Sequence, residues 1–386
     1  MNFRWLLPVL AFALSTRVGA MEPTSADEQI REAGRAWLDD HAGIGLTIGV
    51  FKDGQRQYFN FGSTHVDGNR TPTKDTVYEI GGISKTLSAQ ILARAIIEGR
   101  AALNDEAAKY LAEPYPNLVN DGEPVRLVHL VSNTSQLVDN IPELSQLRAV
   151  PGEPLAVTRM RVAQAYTRKE FLRQLHHVAP RLTPGTQPAF SNVGSMLLGV
   201  VLEKIHGESF DRILAREIEK PLRMASGTMP PVKLLAQGHT ADNQALPTFG
   251  AQMQFPADTL RYSADDLLKY AAWQMVERDA SVKLAHKPTW SSPDGRAAMG
   301  FSWVLGTSPY GRRIVSTGAT YGFASLCELY PDAKVAVVLL VNKSAAGAQE
   351  DLRALSARII SLLRPSSDSG LISPPPSSAG VPQPAR

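Results

Sequence analysis

The sequence predicts a mixed α/β (α+β) fold, in which an antiparallel sheet drawn from both chain ends is flanked by helices and a mostly helical lobe is inserted between. Three observations predict it. Period-2, β-branched runs sit near the start of the chain. Similar runs return near its end. Between them the apolar residues recur at helical spacing.

The first run is Gly45 to Phe51, followed by the turn pair Asp53-Gly54 and the alternating Gln57-Tyr58-Phe59-Asn60-Phe61, a β-hairpin. From Gly82 the period changes. Leu87, Ile91, Ala95 and Ile96-Ile97 mark a helix that Gly99 stops, and a second helix runs from about Val193 to Ile205 before Gly207. Arg313 to Ser316, Phe323 to Tyr330 and Val335 to Val341 read as three late strands. Ala345 to Leu363 reads as an amphipathic closing helix, with Leu352, Leu355, Ile359 and Leu363 on one side.

Residues 1–20 read as a secretory signal: Arg4, an apolar stretch from Trp5 to Leu14, and Val18-Gly19-Ala20 before Met21. The stretch is too short to span a bilayer. A domain at 21–364 follows, with a sheet lobe at about 26–80 and 295–364 and a helical lobe at about 81–294. Residues 365–386 form a Pro/Ser-rich tail expected to be disordered. The expected compartment is the periplasm, with no membrane span. The composition, 44% hydrophobic and 20% charged, is that of a globular domain with length enough for a large core. The net charge of +3 is a small excess that reads as spread along the chain, so nucleic acid is not an expected partner. One cysteine, Cys327, excludes an intramolecular disulfide and alternates like a buried strand residue.

The segment Tyr78-Glu79-Ile80-Gly81-Gly82-Ile83-Ser84-Lys85-Thr86 resembles the nucleophile segment of the serine β-lactamase and DD-peptidase superfamily. In that family a Ser attacks an amide carbonyl and a Lys three residues later takes its proton. Here Gly82 stands at the Ser position and Lys85 is kept. Val125 to Leu137, Pro184-Gly185 through Phe190-Ser191-Asn192, and Ser316-Thr317-Gly318-Ala319-Thr320-Tyr321-Gly322-Phe323 resemble further family segments in the same order. The nearest branch is similar to class C β-lactamases and their peptidase and esterase relatives. The resemblance spans roughly Ile30 to Leu363 and implies the β-lactamase/transpeptidase-like fold.

It also implies where this chain departs. The family's general-base Tyr is Phe190, which cannot transfer a proton, and its cationic strand Lys is Ser316. Lys85 and Asn192 survive as candidate catalytic residues. The backbone N–H groups of Gly82 and Ala319 would form the oxyanion hole. Thr317, Gly318, Tyr321, Asp139 and Asn140 would line the cleft with Phe190 and Ser316. Two readings of Lys85 stay open: a desolvated amine that activates water, or a charged group satisfied in a silent site. For Asp139 and Asn140 the default is a solvated loop. Ser84, two residues after Gly82, reads as a first-turn hydroxyl facing elsewhere.

The family needs no cofactor. Zinc has no signature among the eight histidines, of which His129 reads as structural, yet a site assembled across the fold stays open. Two functions follow. One is a periplasmic protein that recognises β-lactams or related amides, with any hydrolysis by a non-serine route through water activated by Lys85 or a metal. The other is a non-catalytic binder of peptidoglycan stem peptides or β-lactams, a sensor or scaffold. Either takes a small-molecule ligand, and a monomer is expected.

Overall fold

The computed structural model describes residues 25–41, 44–68, 70–225, 227–247 and 260–363. The residues expected to form a secretory signal and the Pro/Ser-rich tail lie outside the described residues.

Helix α1 (Ala26–Asp40) opens the fold, with the Ser25 hydroxyl accepting from the N–H of Glu28 at 3.2 Å. Ile30, Ala33 and Trp37 fall on its buried stripe. Strands β1 (Gly45–Lys52) and β2 (Gln55–Gly62) form the expected hairpin. Both turn residues are left-handed, Asp53 at φ 49° and Gly54 at φ 84°, as the tight hairpin turn demands.

The middle of the chain supplies β3 (Val77–Glu79), α2 (Ser84–Ile97), the short ladder of β4 (Val119–Asn120) and β5 (Glu123–Pro124), and α3 (Leu127–Val131). Then come α4 (Leu155–Ala165), α5 (Arg168–Leu175), α6 (Asn192–His206), α7 (Phe210–Leu214) and α8 (Lys220–Leu222). Strand β6 (Arg261–Ser263) pairs with β3 and leads into α9 (Ala264–Val276) and α10 (Ala280–Ala285). The remaining strands are β7 (Trp290–Ser291), β8 (Ala298–Met299), β9 (Val304–Ser308), β10 (Gly311–Ala319), β11 (Ala324–Tyr330) and β12 (Val335–Val341). Helix α11 (Ala348–Leu362) closes the described chain.

The main sheet is antiparallel, in the order β2-β1-β12-β11-β10-β9-β8-β7. β1 pairs with β12, Leu46 opposite Val341, so strands from the two chain ends lie side by side in it. Every residue of β12 is buried, because both faces of the sheet are covered. On one face Ile30, Trp37, Leu352 and Ile359 of α1 and α11 pack on Leu46, Ile48, Val337 and Leu339. The opposite face, through Cys327, Leu329, Val338 and Leu340, joins the core shared with α2, α6 and α9. Each large apolar side chain buried this way contributes roughly 1.5–3 kcal/mol.

One buried charge sits between the sheet and α11. Glu328 accepts from Tyr330 Oη at 2.9 Å and also from Ser356 Oγ and Arg313 Nε. It thereby ties β10, β11 and α11 together. Cys327 beside it is fully buried, and burial pushes its thiol up to about 12.

Candidate active-site cleft

The cleft lies where the start of α2 meets β10. A single 3₁₀ turn, Gly81–Ile83, precedes α2. Gly81 is left-handed at φ 49°, and a Cβ there would fall 2.7 Å from the backbone N of Ala319. A Cβ on Gly318 would fall 2.0 Å from the carbonyl O of Ile80, which accepts instead from Ser325 Oγ at 2.9 Å. Helix start and strand therefore meet backbone to backbone. At Gly82 the same is true: a Cβ would lie 2.7 Å from the carbonyl O of Thr317, with no other atom nearer than 3.9 Å. The strand stands closer to residue 82 than a side-chain-bearing residue permits.

Lys85 sits in the first turn of α2 and is 5% exposed. Its Nζ donates to the carbonyl O of Ser191 at 3.2 Å and stands 3.6 Å from the ring centroid of Phe190. That is a cation–π geometry. Phe190 is 48% exposed, so its other face looks out of the cleft. The ring thus does more than fill the space of a missing hydroxyl; it covers the amine.

Ser191 caps α6. Its hydroxyl accepts from the N–H of Gly194 at 2.9 Å and donates to the carbonyl O of Val138 at 2.8 Å. The next residue, Asn192, donates from Nδ2 to Asn140 Oδ1 at 3.0 Å, and its backbone N–H donates to the carbonyl O of Asp139 at 2.9 Å. The segments at 138–140 and 190–193 are thereby locked together. Asp139 and Asn140 are not a solvated loop as expected, because these bonds hold both half-buried against the N-terminus of α6. Burial raises the Asp139 carboxyl above its ordinary range, opposed by the nearby Lys85 charge and a backbone bond from Asn192. Its Oδ1 is buried without a hydrogen-bond partner.

Ser316 is buried on β10, opposite Cys327, with Thr317 and Gly318 following in the same ladder. Tyr321 stands half-buried in the bend after the strand. Beyond it, Phe323, Glu79, Leu235 and Met160 line a small pocket. Met160 belongs to α4, so this helix reaches over towards the end of β10. Sequence spacing gave no sign of Met160, since nothing in a helical Met far along the chain announces a neighbour across a cleft.

Two other residues have structural roles. Ser84 Oγ accepts from the N–H of Leu260 at 3.0 Å, a buried bond spent on the backbone. His129 Nδ1 accepts from the N–H of Arg126 at 3.1 Å and closes the first turn of α3. Among the described residues no group of three or more His, Cys, Asp and Glu could hold a metal ion. No described helix is long and apolar enough to cross a membrane.

A family model described as Beta-lactamase matches residues 27–360. The chain belongs to the beta-lactamase family. A relative from Escherichia coli, named D-alanyl-D-alanine-carboxypeptidase/endopeptidase AmpH, is 24% identical over 358 residues, covering 87% of this chain and 90% of its own. The fold is shared with a Beta-Lactamase/D-Alanine Carboxypeptidase from Pseudomonas syringae (TM-score 0.71, 18% identity, 88% of this chain and 99% of that one). It is shared too with a class C beta-lactamase (TM-score 0.71, 19% identity, 88% and 97%). In this member of the beta-lactamase family, the turn where the nucleophile segment lies has no hydroxyl at residue 82, and the lysine after it is covered by a phenyl ring.

Proposed function

We propose that this chain is a non-catalytic member of the beta-lactamase family, which binds a peptidoglycan stem peptide or a β-lactam in its cleft and acts in the periplasm as a sensor or scaffold. The observation that carries this is Lys85 under Phe190. A ring face at 3.6 Å and a carbonyl at 3.2 Å both suit an ammonium, not a neutral amine with a lone pair aimed at water. With Gly82 the acyl-enzyme route has no nucleophile, and Phe190 has no hydroxyl to move a proton at the family's general-base position. The same geometry weighs against hydrolysis by a lysine-activated water.

What remains suits recognition. The Gly82 and Ala319 N–H groups would hold a ligand carbonyl, and Asn140, Asn192 and Ser316 would offer polar contacts beside it. A relative named for D-alanyl-D-alanine peptides makes stem peptides ending in that dipeptide the first ligand to try.

Calorimetry with such a pentapeptide and with a penicillin, alongside absorbance assays of penicillin, cephalosporin and carbapenem turnover, tests the reading. Saturable binding without turnover supports it. Turnover that survives a chelator and disappears in Lys85→Ala would replace it with a lysine-activated water. Turnover lost to chelator and restored by zinc would replace it with a metal site.

A further inference from the structure

The positive charge of this chain is not spread along it as the sequence totals suggested. Residues 148–181 hold seven Lys and Arg against two Glu, a net +5 in a chain of net +3, so everything outside this segment is slightly negative. The segment contains α4 and α5 and runs from Arg148 at one end to Arg181 at the other. Within α4, Met160 shares a pocket wall with Phe323 and Glu79. At the second end the N–H of Arg181 donates to the carbonyl O of Gln136 at 2.9 Å, and the Arg181 charge acts on the carboxyls of Asp139 and Glu143.

Between these ends the basic side chains face solvent. Arg161, Arg168, Lys169 and Arg173 are all exposed, the first one turn before the corner at 166–167 and the others after it. Three of them have carboxylate neighbours: Arg161 with Glu153 at 2.8 Å, Arg168 with Glu203 and Arg173 with Glu170. Arg148, Lys169 and Arg181 have none within ion-pair distance among the described residues. The apolar side of α5, Phe171 and Leu175, is already buried in the core. Val150 is the segment's exposed large apolar side chain among the described residues, so α5 offers charge without an apolar face, which fits a hydrated polyanion better than insertion into lipid.

We propose that residues 148–181 form a cationic landing face that holds polymeric peptidoglycan, a glycan bearing many stem-peptide carboxylates, beside the cleft. The proposal rests on the stem-peptide reading above and adds that the ligand is presented on a polymer. The face would concentrate carboxylate-bearing strands at the mouth of a cleft in which Ser316 supplies no positive charge of its own.

The test is co-sedimentation of the mature protein with purified peptidoglycan sacculi in 50 mM and 500 mM NaCl, with calorimetry of a soluble pentapeptide in parallel. The wild-type protein is expected to pellet at low salt and to lose about tenfold in affinity at high salt as the charges are screened. Arg148→Glu/Lys169→Glu should lose a similar factor at low salt while binding the soluble pentapeptide like the wild type. Sacculi with amidated carboxylates should fail to pellet the unaltered protein, an arm that depends on no variant. Equal binding to amidated and native sacculi would overturn the proposal, as would stronger capture by phosphatidylglycerol vesicles than by sacculi. If the pentapeptide binds but sacculi do not, the landing face is wrong and the cleft reading stands. If neither binds, both fail.

Discussion

Restoring the family's serine at residue 82 should not restore the family's chemistry. A Cβ on Gly82 would stand 2.7 Å from the carbonyl O of Thr317, and real Cβ contacts essentially never fall below 3.0 Å. The strand must therefore retreat by at least 0.3 Å, the gap between those two distances. The obstacle is backbone, so no rotamer change relieves it. Thr317 is laddered to Leu326 on β11, and Ser325 beside it is bonded to Ile80, so β10 cannot retreat alone. Overpacking of this kind costs about 1–3 kcal/mol, which lowers the melting temperature by roughly 2–5 °C. Phe190 would also offer the introduced serine no hydroxyl at the family's general-base position, a loss of about 10²–10⁴ in rate. Thermal unfolding and intact-mass detection of a penicilloyl adduct measure both effects. Gly82→Ser is expected to melt lower and carry no adduct. Gly82→Ser/Phe190→Tyr/Ser316→Lys should begin to acquire one. An adduct on the single variant, with unchanged melting, would refute the reasoning about both the strand and the ring.

Other expectations are simpler. Phe190→Leu removes the ring over Lys85 and should destabilise the protein by about 0.5–2 kcal/mol, read from denaturant midpoints, whereas Phe190→Tyr should cost much less. The Asp139 carboxyl is raised by burial, so its folded form holds a proton more tightly than its unfolded form. It therefore weakens the fold as pH rises from the ordinary Asp range through its raised value. Asp139→Asn should remove that slope and raise the melting temperature more at pH 7 than at pH 4; a uniform shift would contradict this. Cys327, fully buried with its thiol pushed up to about 12, should react with a thiol reagent only after denaturation. Glu328→Ala strands Arg313 beside the sheet and should cost about 3–5 kcal/mol, measured by urea unfolding.

The hairpin, α2, α6 and β10 to β12 were legible because each carries its own period, and the period is local. Strands β7 and β8, two residues each, were not, since pairs such as Trp290-Ser291 and Ala298-Met299 are too short to show alternation. At the cleft, Gly82, Lys85, Phe190 and Ser316 could be placed from motif order alone. Their relations could not. That Phe190 would lie on Lys85 instead of merely vacating a hydroxyl depends on how the turn into α6 is pinned by Val138 and Asp139, far away in sequence. The solvation of Asp139 was misjudged for the same reason. The charge of residues 148–181 was visible in the letters but lost in a whole-chain total.

The pairing of β1 with β12 governs how this protein comes to be folded. A ribosome delivers the hairpin of β1 and β2 early and must then supply the whole intervening chain before Val341 arrives to meet Leu46. Until then β1 has an open edge and Ile48 and Val50 have no β12 partner. Closing so long a loop makes folding slow and exposes an aggregation-prone edge meanwhile. Shielding of the nascent hairpin by a chaperone, or rapid export of the unfolded chain, would be worth most to this architecture during the interval between its first strand and its last.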